Sequence, residues 1–86
     1  MSKTVEVYLR AGCGHCGAAR RLLKDNGVAF TRWDVTDDPK LFDEMKARTQ
    51  GLTTVPQIFG DNVLIGGNAE LQEIAAAGRL ASVFDI

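Results

Sequence analysis

Cys13-Gly14-His15-Cys16 gathers both cysteines and the single histidine of an 86-residue chain into four consecutive positions. Two thiols so placed could form a disulfide staple, half of a zinc site, or a dithiol that trades electrons with other disulfides. A staple stabilises by closing a loop, and closing one this short constrains little. A structural zinc takes four Cys or His ligands, usually as two separated pairs. This chain has no second pair, so no metal is expected in the monomer. Thiol–disulfide exchange remains, because two intervening residues let both sulfurs meet when the motif opens a helix.

The flanking sequence supplies that helix. Val5-Glu6-Val7-Tyr8-Leu9 alternates and is rich in β-branched and aromatic residues, which predicts a strand. After a short loop, the stretch from Gly14 to Asn26 carries Ala19, Leu22 and Leu23 on one face and Arg20, Arg21 and Lys24 on the other, and Gly27 ends it. A second strand is expected from Ala29 to Val35. Asp37-Asp38-Pro39 then reads as a capped helix start, with Leu41, Phe42 and Met45 as its apolar face and Gly51 its end. Val55 to Phe59 and Val63 to Ile65 flank an Asp61-Asn62 turn and predict a hairpin. A last helix is expected from about Ala69 to Ala77, with Leu71, Ile74 and Ala75 inward and Gly78 stopping it. Leu80, Val83 and Phe84 form a terminal packing segment. The order is β-α-β-α-β-β-α in a single domain over residues 1–86, and the first crossover pairs parallel strands.

The C-x-x-C therefore falls where the first strand ends and the first helix begins, an edge where ligand sites gather. Helix N-terminal amides carry partial positive charge and lack an intrahelical acceptor. A thiolate at Cys13 receives that field, and Arg10 adds a full charge if it turns inward. Cys13 is thus expected to attack, and Cys16, one turn in and more buried, to resolve the mixed disulfide. Protonated His15 would favour the reduced thiolate and make the disulfide more oxidising. An exposed spacer is the plainer role for His15.

Composition narrows the partners. Hydrophobic residues at 45% and charged residues at 24% suit a small packed core. Ten Lys plus Arg against eleven Asp plus Glu leave a net charge of −1, which argues against nucleic acid. No apolar run approaches the roughly 20 residues of a membrane span, and Met1-Ser2-Lys3-Thr4 leads straight into the first strand without a visible signal peptide. Cytoplasmic location is the expectation.

Cys13 to Cys16 at a strand–helix junction, followed by Thr54-Val55-Pro56-Gln57-Ile58-Phe59 and then Ile65-Gly66-Gly67, resembles a small dithiol glutaredoxin over essentially the whole chain. The resemblance implies an α/β, thioredoxin-like fold with a four-stranded mixed sheet flanked by helices. It also implies a cis peptide before Pro56 in a loop facing the cysteines. Carried over position by position, glutathione would lie in a groove made by Arg10, His15, Thr54, Val55, Pro56, Gly67, Asn68, Ala69 and Glu70. Arg10 stands where the family has a basic residue for the glycine carboxylate. Val55 would hold the cysteinyl backbone, and the amides of Asn68 and Ala69 the γ-glutamyl carboxylate. The chain departs from the family at Gly14-His15, where Pro-Tyr is common, and at Leu52, where a polar or basic residue is frequent. An acid usual near Ala69 is missing, leaving Glu70 as a substitute.

The activity so implied is glutathione-dependent reduction of protein–glutathione mixed disulfides and of protein disulfides, with glutathione as co-substrate. Two alternatives stand beside it. One is a dimer bridged by a 2Fe–2S cluster, each protomer giving Cys13 and two glutathiones completing the ligation. The other is a thioredoxin-like electron donor to a dedicated partner. A monomer is expected unless a cluster bridges two copies.

Overall fold

β1 (Val5–Leu9) is the strand from which the molecule is built, and four of its five residues are buried. The computed structural model describes residues 3–86; Met1 and Ser2, on which the expectation of no visible signal peptide partly rests, lie outside them. Val5, Val7 and Leu9 point to one side of the sheet, where they meet Ala19, Leu23, Ile58, Leu71 and Phe84. Tyr8 points to the other, with Val35, Met45 and Phe59. A strand covered on both faces belongs in the middle of a sheet. The observed strand order is β2 (Thr31–Asp34), β1, β3 (Gln57–Gly60), β4 (Val63–Gly66).

α1 (Gly14–Asp25) lays Cys16, Ala19 and Leu23 against β1. Gly27 takes φ 73° after its last turn, and Val28 donates to the Leu23 carbonyl at 2.9 Å. Each fully buried Leu side chain contributes about 1.5–3 kcal/mol relative to exposure. β2 (Thr31–Asp34) runs parallel to β1, as the crossover requires, with Glu6 opposite Thr31 and Tyr8 opposite Trp33. It is shorter than the expected strand, because the ladder begins only opposite Glu6 and leaves Ala29 and Phe30 outside it.

α2 (Pro39–Arg48) starts where the sequence predicts, with the Asp38 carboxylate accepting the Leu41 amide at 3.1 Å. Its end is held by a cluster that the sequence did not announce. The Arg48 guanidinium forks onto Glu6 at 3.0 and 3.1 Å, donates to the Tyr8 hydroxyl at 2.9 Å, and lies 4.0 Å from the Phe59 ring centroid. The Trp33 indole N–H donates to the same Glu6 carboxylate at 3.0 Å. Hydrogen bonds from Arg48 hold the Glu6 carboxyl below its ordinary value, against a smaller opposing effect of burial.

β3 (Gln57–Gly60) pairs antiparallel with both β1 and β4 (Val63–Gly66). Asp61 and Asn62 both adopt positive φ, the geometry of a tight two-residue hairpin turn. Pairing starts at Gln57 rather than at Val55, since Pro56 has no amide hydrogen for a ladder. α3 (Asn68–Ala76) follows, and the terminal packing segment is itself a helical turn, α4 (Leu80–Phe84), whose ends Leu80 and Phe84 are buried. Both helices close the α1 side of the sheet. Among the described residues no helix is long and apolar enough to cross a membrane.

Candidate functional site

The chain leaves β1 at its C-terminal end and must turn sharply to enter α1. Gly12 makes the turn at φ 74°, and the Ala11 amide is fixed by the Thr36 hydroxyl at 2.8 Å. Cys13 then occupies the N-cap of α1, where Ser or Asp would be usual, and its Sγ accepts the amide of Cys16 at 3.2 Å. Both thiols are free. Cys13 is half-buried, whereas Cys16 is 3% exposed. Burial pushes the Cys16 thiol up to about 11, and its hydrogen bond and charge interaction with Cys13 add to the rise. Two chemically identical groups are thereby made unequal: one faces outward at a helix N-terminus, and the other keeps its proton in the core.

Opposite the thiols lies the segment before β3. The Val55–Pro56 peptide is cis, as the sequence resemblance implied. The Cys13 thiol points at the Val55 carbonyl oxygen, 3.8 Å away. Gln57, buried behind this loop, donates its side-chain amide to the Thr54 carbonyl at 2.9 Å and to the Thr54 hydroxyl at 3.2 Å. The loop is therefore tied down from the strand that follows it.

The paired glycines bring α3 against the same loop. Gly66 has φ 138°, and a Cβ there would stand 2.8 Å from Cβ of Glu70. A Cβ on Gly67 would stand 3.2 Å from the Pro56 carbonyl oxygen. Glu70 turns its carboxylate back to accept the Gly67 amide at 3.2 Å, so it is engaged in capping α3. The first-turn amides of Asn68 and Ala69 head the helix, as the N-terminal amides of any helix do. Asn68 reaches the His15 ring, with its Nδ2 3.4 Å from His15 Nδ1, and accepts from Gln72 at 3.1 Å.

These elements enclose one groove. Thr54, Val55 and Pro56 line one wall and Gly67, Asn68, Ala69 and Glu70 the other, with His15 contributed by α1. Arg10 is not among its lining residues. It shares a separate hollow with Cys13 and Cys16, and its exposed guanidinium lies 5.7 Å from the Phe42 ring centroid. Arg20 and Arg32, which line this second hollow, and Gln57, which lines the groove, were not expected at the site from sequence, whereas Leu52, noted there as a departure from the family, does line the groove. Arg32 joins this hollow only through the β1–β2 pairing, which leaves no local signal. Among the described residues no group of three or more His, Cys, Asp or Glu side chains is clustered as a metal site. With two cysteines, one chain alone does not supply four thiolates for a 2Fe–2S cluster.

Residues 5–65 match the sequence profile of the family described as Glutaredoxin. The chain belongs to the glutaredoxin family. It is 40% identical to glutaredoxin 3 of Escherichia coli over 76 residues, covering 88% of this chain and 90% of that protein. It is 35% identical over 80 residues to a probable glutaredoxin of Synechocystis, covering 93% of this chain and 91% of the relative. The solution structure of a Brucella melitensis glutaredoxin superposes with a TM-score of 0.82 at 35% identity, covering 96% of this chain and 89% of that one. The glutaredoxin assignment accounts for the mixed four-stranded sheet, the C-x-x-C at the head of α1 and the cis-proline loop facing it. A thiol–disulfide oxidoreductase of the glutaredoxin type is what the fold carries.

Proposed function

We propose that the protein reduces mixed disulfides between proteins and glutathione, and protein disulfides, with glutathione as the reductant. The observation that carries this reading is the Cys13 sulfur itself: it accepts the Cys16 amide at 3.2 Å while facing Val55 across the mouth of the groove. The Cys13 thiolate attacks the glutathione sulfur of a protein–glutathione disulfide. That S–S bond breaks, the protein thiolate leaves and takes a proton, and glutathione stays bonded to Cys13. A second glutathione thiolate then attacks the bound glutathione sulfur, releasing oxidised glutathione and restoring the Cys13 thiolate.

Cys16 offers the other exit. In the mixed disulfide Cys13 carries no charge, so the part of the Cys16 elevation that came from Cys13 is gone and only burial holds its proton. Once deprotonated, Cys16 attacks the Cys13 sulfur, expels glutathione, and leaves an intramolecular disulfide that two glutathiones reduce in turn.

Glutathione would lie along the groove. Its γ-glutamyl carboxylate suits the amides of Asn68 and Ala69 at the head of α3, which Gly67 and the capping Glu70 hold in place. Its cysteinyl backbone would pair with Val55 as an added strand does, between Thr54 and Pro56. Arg10 would serve the glycine carboxylate by swinging off Phe42, and His15 would border the sulfurs. The protein works in this proposal as a monomer in the cytoplasm, where glutathione keeps thiols reduced.

The test is reduction of a glutathionylated peptide with glutathione as the electron source. Wild type turns it over and Cys13→Ser does not; a Cys13→Ser protein that keeps its rate would remove Cys13 from the mechanism.

A further inference from the structure

The hollow beside Cys13 does not end there. Gly17, Arg20 and Arg32 line it and also line a larger hollow of about 810 Å³ that continues along α1 toward β2. The second part adds Arg21 and Lys24 from the outer face of α1, over a floor of Val28 and half-buried Phe30. Together the two parts carry five cations, Arg10, Arg20, Arg21, Lys24 and Arg32, against two carboxylates, Asp25 and Asp34. The whole chain is at −1, so carboxylates outnumber cations everywhere else. Among the described residues the one ion pair within 4 Å is Arg48 with Glu6, and none of these five cations joins it.

Gly17 adds an independent observation. It sits inside α1, where glycine costs about 1 kcal/mol relative to alanine. Nothing in the fold asks for it, because a Cβ there would meet no atom within 4 Å. It lines both hollows where they join.

We propose that this basic channel is the docking surface for the protein half of the substrate, and that it selects partners whose reactive cysteine is flanked by acidic residues. The groove between the Thr54–Pro56 loop and α3 is left to glutathione, with Arg10 at the Cys13 end of the channel serving its glycine carboxylate, while Arg20, Arg21, Lys24 and Arg32 face the protein half. The inference rests on the oxidoreductase reading only for its kinetic readout. Cations in a shallow channel act through long-range attraction and contact pairing, both weakened by salt.

Two synthetic peptides decide it, each with one cysteine joined to glutathione and differing only in having Glu or Lys around that cysteine. At low ionic strength kcat/KM for the acidic peptide is expected to exceed that for the basic one by about tenfold, shrinking to about twofold in 0.5 M salt. The double variant Arg21→Glu, Lys24→Glu is expected to bring that ratio to about one or below, a comparison that does not depend on how much of the variant is folded. Equal rates for the two peptides in wild type, or an unchanged ratio in the variant, overturns the proposal. Should neither peptide be turned over, the oxidoreductase reading fails, and docking is read separately by fluorescence anisotropy with the cysteine of each peptide replaced by serine. Tighter binding of the acidic peptide sustains the docking surface, and equal binding overturns it.

Discussion

Cys13 Sγ stands 3.2 Å from the backbone nitrogen of Cys16, so the proposed nucleophile is also the cap of the helix that carries both thiols. Stability and reactivity can be separated at this one atom. Serine is a good N-cap and alanine is not. Cys13→Ser is expected to stay within about 0.5 kcal/mol of wild type, whereas Cys13→Ala loses about 1 kcal/mol. Both variants should lose turnover of a glutathionylated peptide by about a thousandfold or more. Urea denaturation beside the peptide assay checks the pair.

The inequality of the thiols has a pH signature. Cys16 is raised from an ordinary 9.0 to about 11, chiefly by burial. A group that holds its proton more tightly when folded favours the folded state fully below its unfolded value, and this contribution disappears as pH rises through the folded value. Stability is therefore expected to fall between about pH 9 and 11, and Cys16→Ala should flatten that part of the curve. Mass spectrometry after brief alkylation at neutral pH should find label on Cys13 and little on Cys16.

The Glu6–Arg48 fork predicts acid sensitivity of the opposite sign. Glu6 is held below its ordinary 4.5 by Arg48, so its contribution is present above that value and lost as pH falls through the lowered one. Arg48→Ala should cost about 2 kcal/mol at neutral pH, since it strips partners from both Glu6 and the Tyr8 hydroxyl. The gap between wild type and Arg48→Ala should narrow as the solution is taken well below pH 4.5, followed by thermal or urea unfolding.

Two glycines should respond in opposite directions. Gly66→Ala forces a Cβ to 2.8 Å from Cβ of Glu70 at a φ of 138°, and is expected to cost roughly 2–4 kcal/mol. The same variant should raise KM for glutathione by displacing the head of α3. Gly17→Ala meets no atom within 4 Å inside a helix and should gain about 0.5–1 kcal/mol. Calorimetric melting of both variants tests the contrast.

What could be read from sequence was what is fixed locally. Asp38-Pro39 capped α2, Gly27 ended α1 and Asp61-Asn62 turned the hairpin, because each acts through its own backbone. The helical nature of α4 was not legible, since five residues are too short for a periodic pattern. Both cysteines were legible from spacing, and the groove residues from their resemblance to a family motif. Arg20 and Arg32 were not, because they come together beside Cys13 from a helix and a strand joined only by tertiary packing. Glu70 was expected to stand in for the acid missing near Ala69, and what the sequence did not disclose is that its carboxylate accepts the Gly67 amide. A sequence names the carboxylate without naming the donor it will meet.

The single tryptophan of the chain donates its indole N–H to Glu6 at 3.0 Å, within the cluster that anchors the end of α2. The molecule thus carries its own optical gauge on the side of the sheet away from α1. Emission from Trp33 follows how firmly α2 is seated, and loosening of Arg48 would register as a change of colour and intensity before the thiol chemistry is assayed at all.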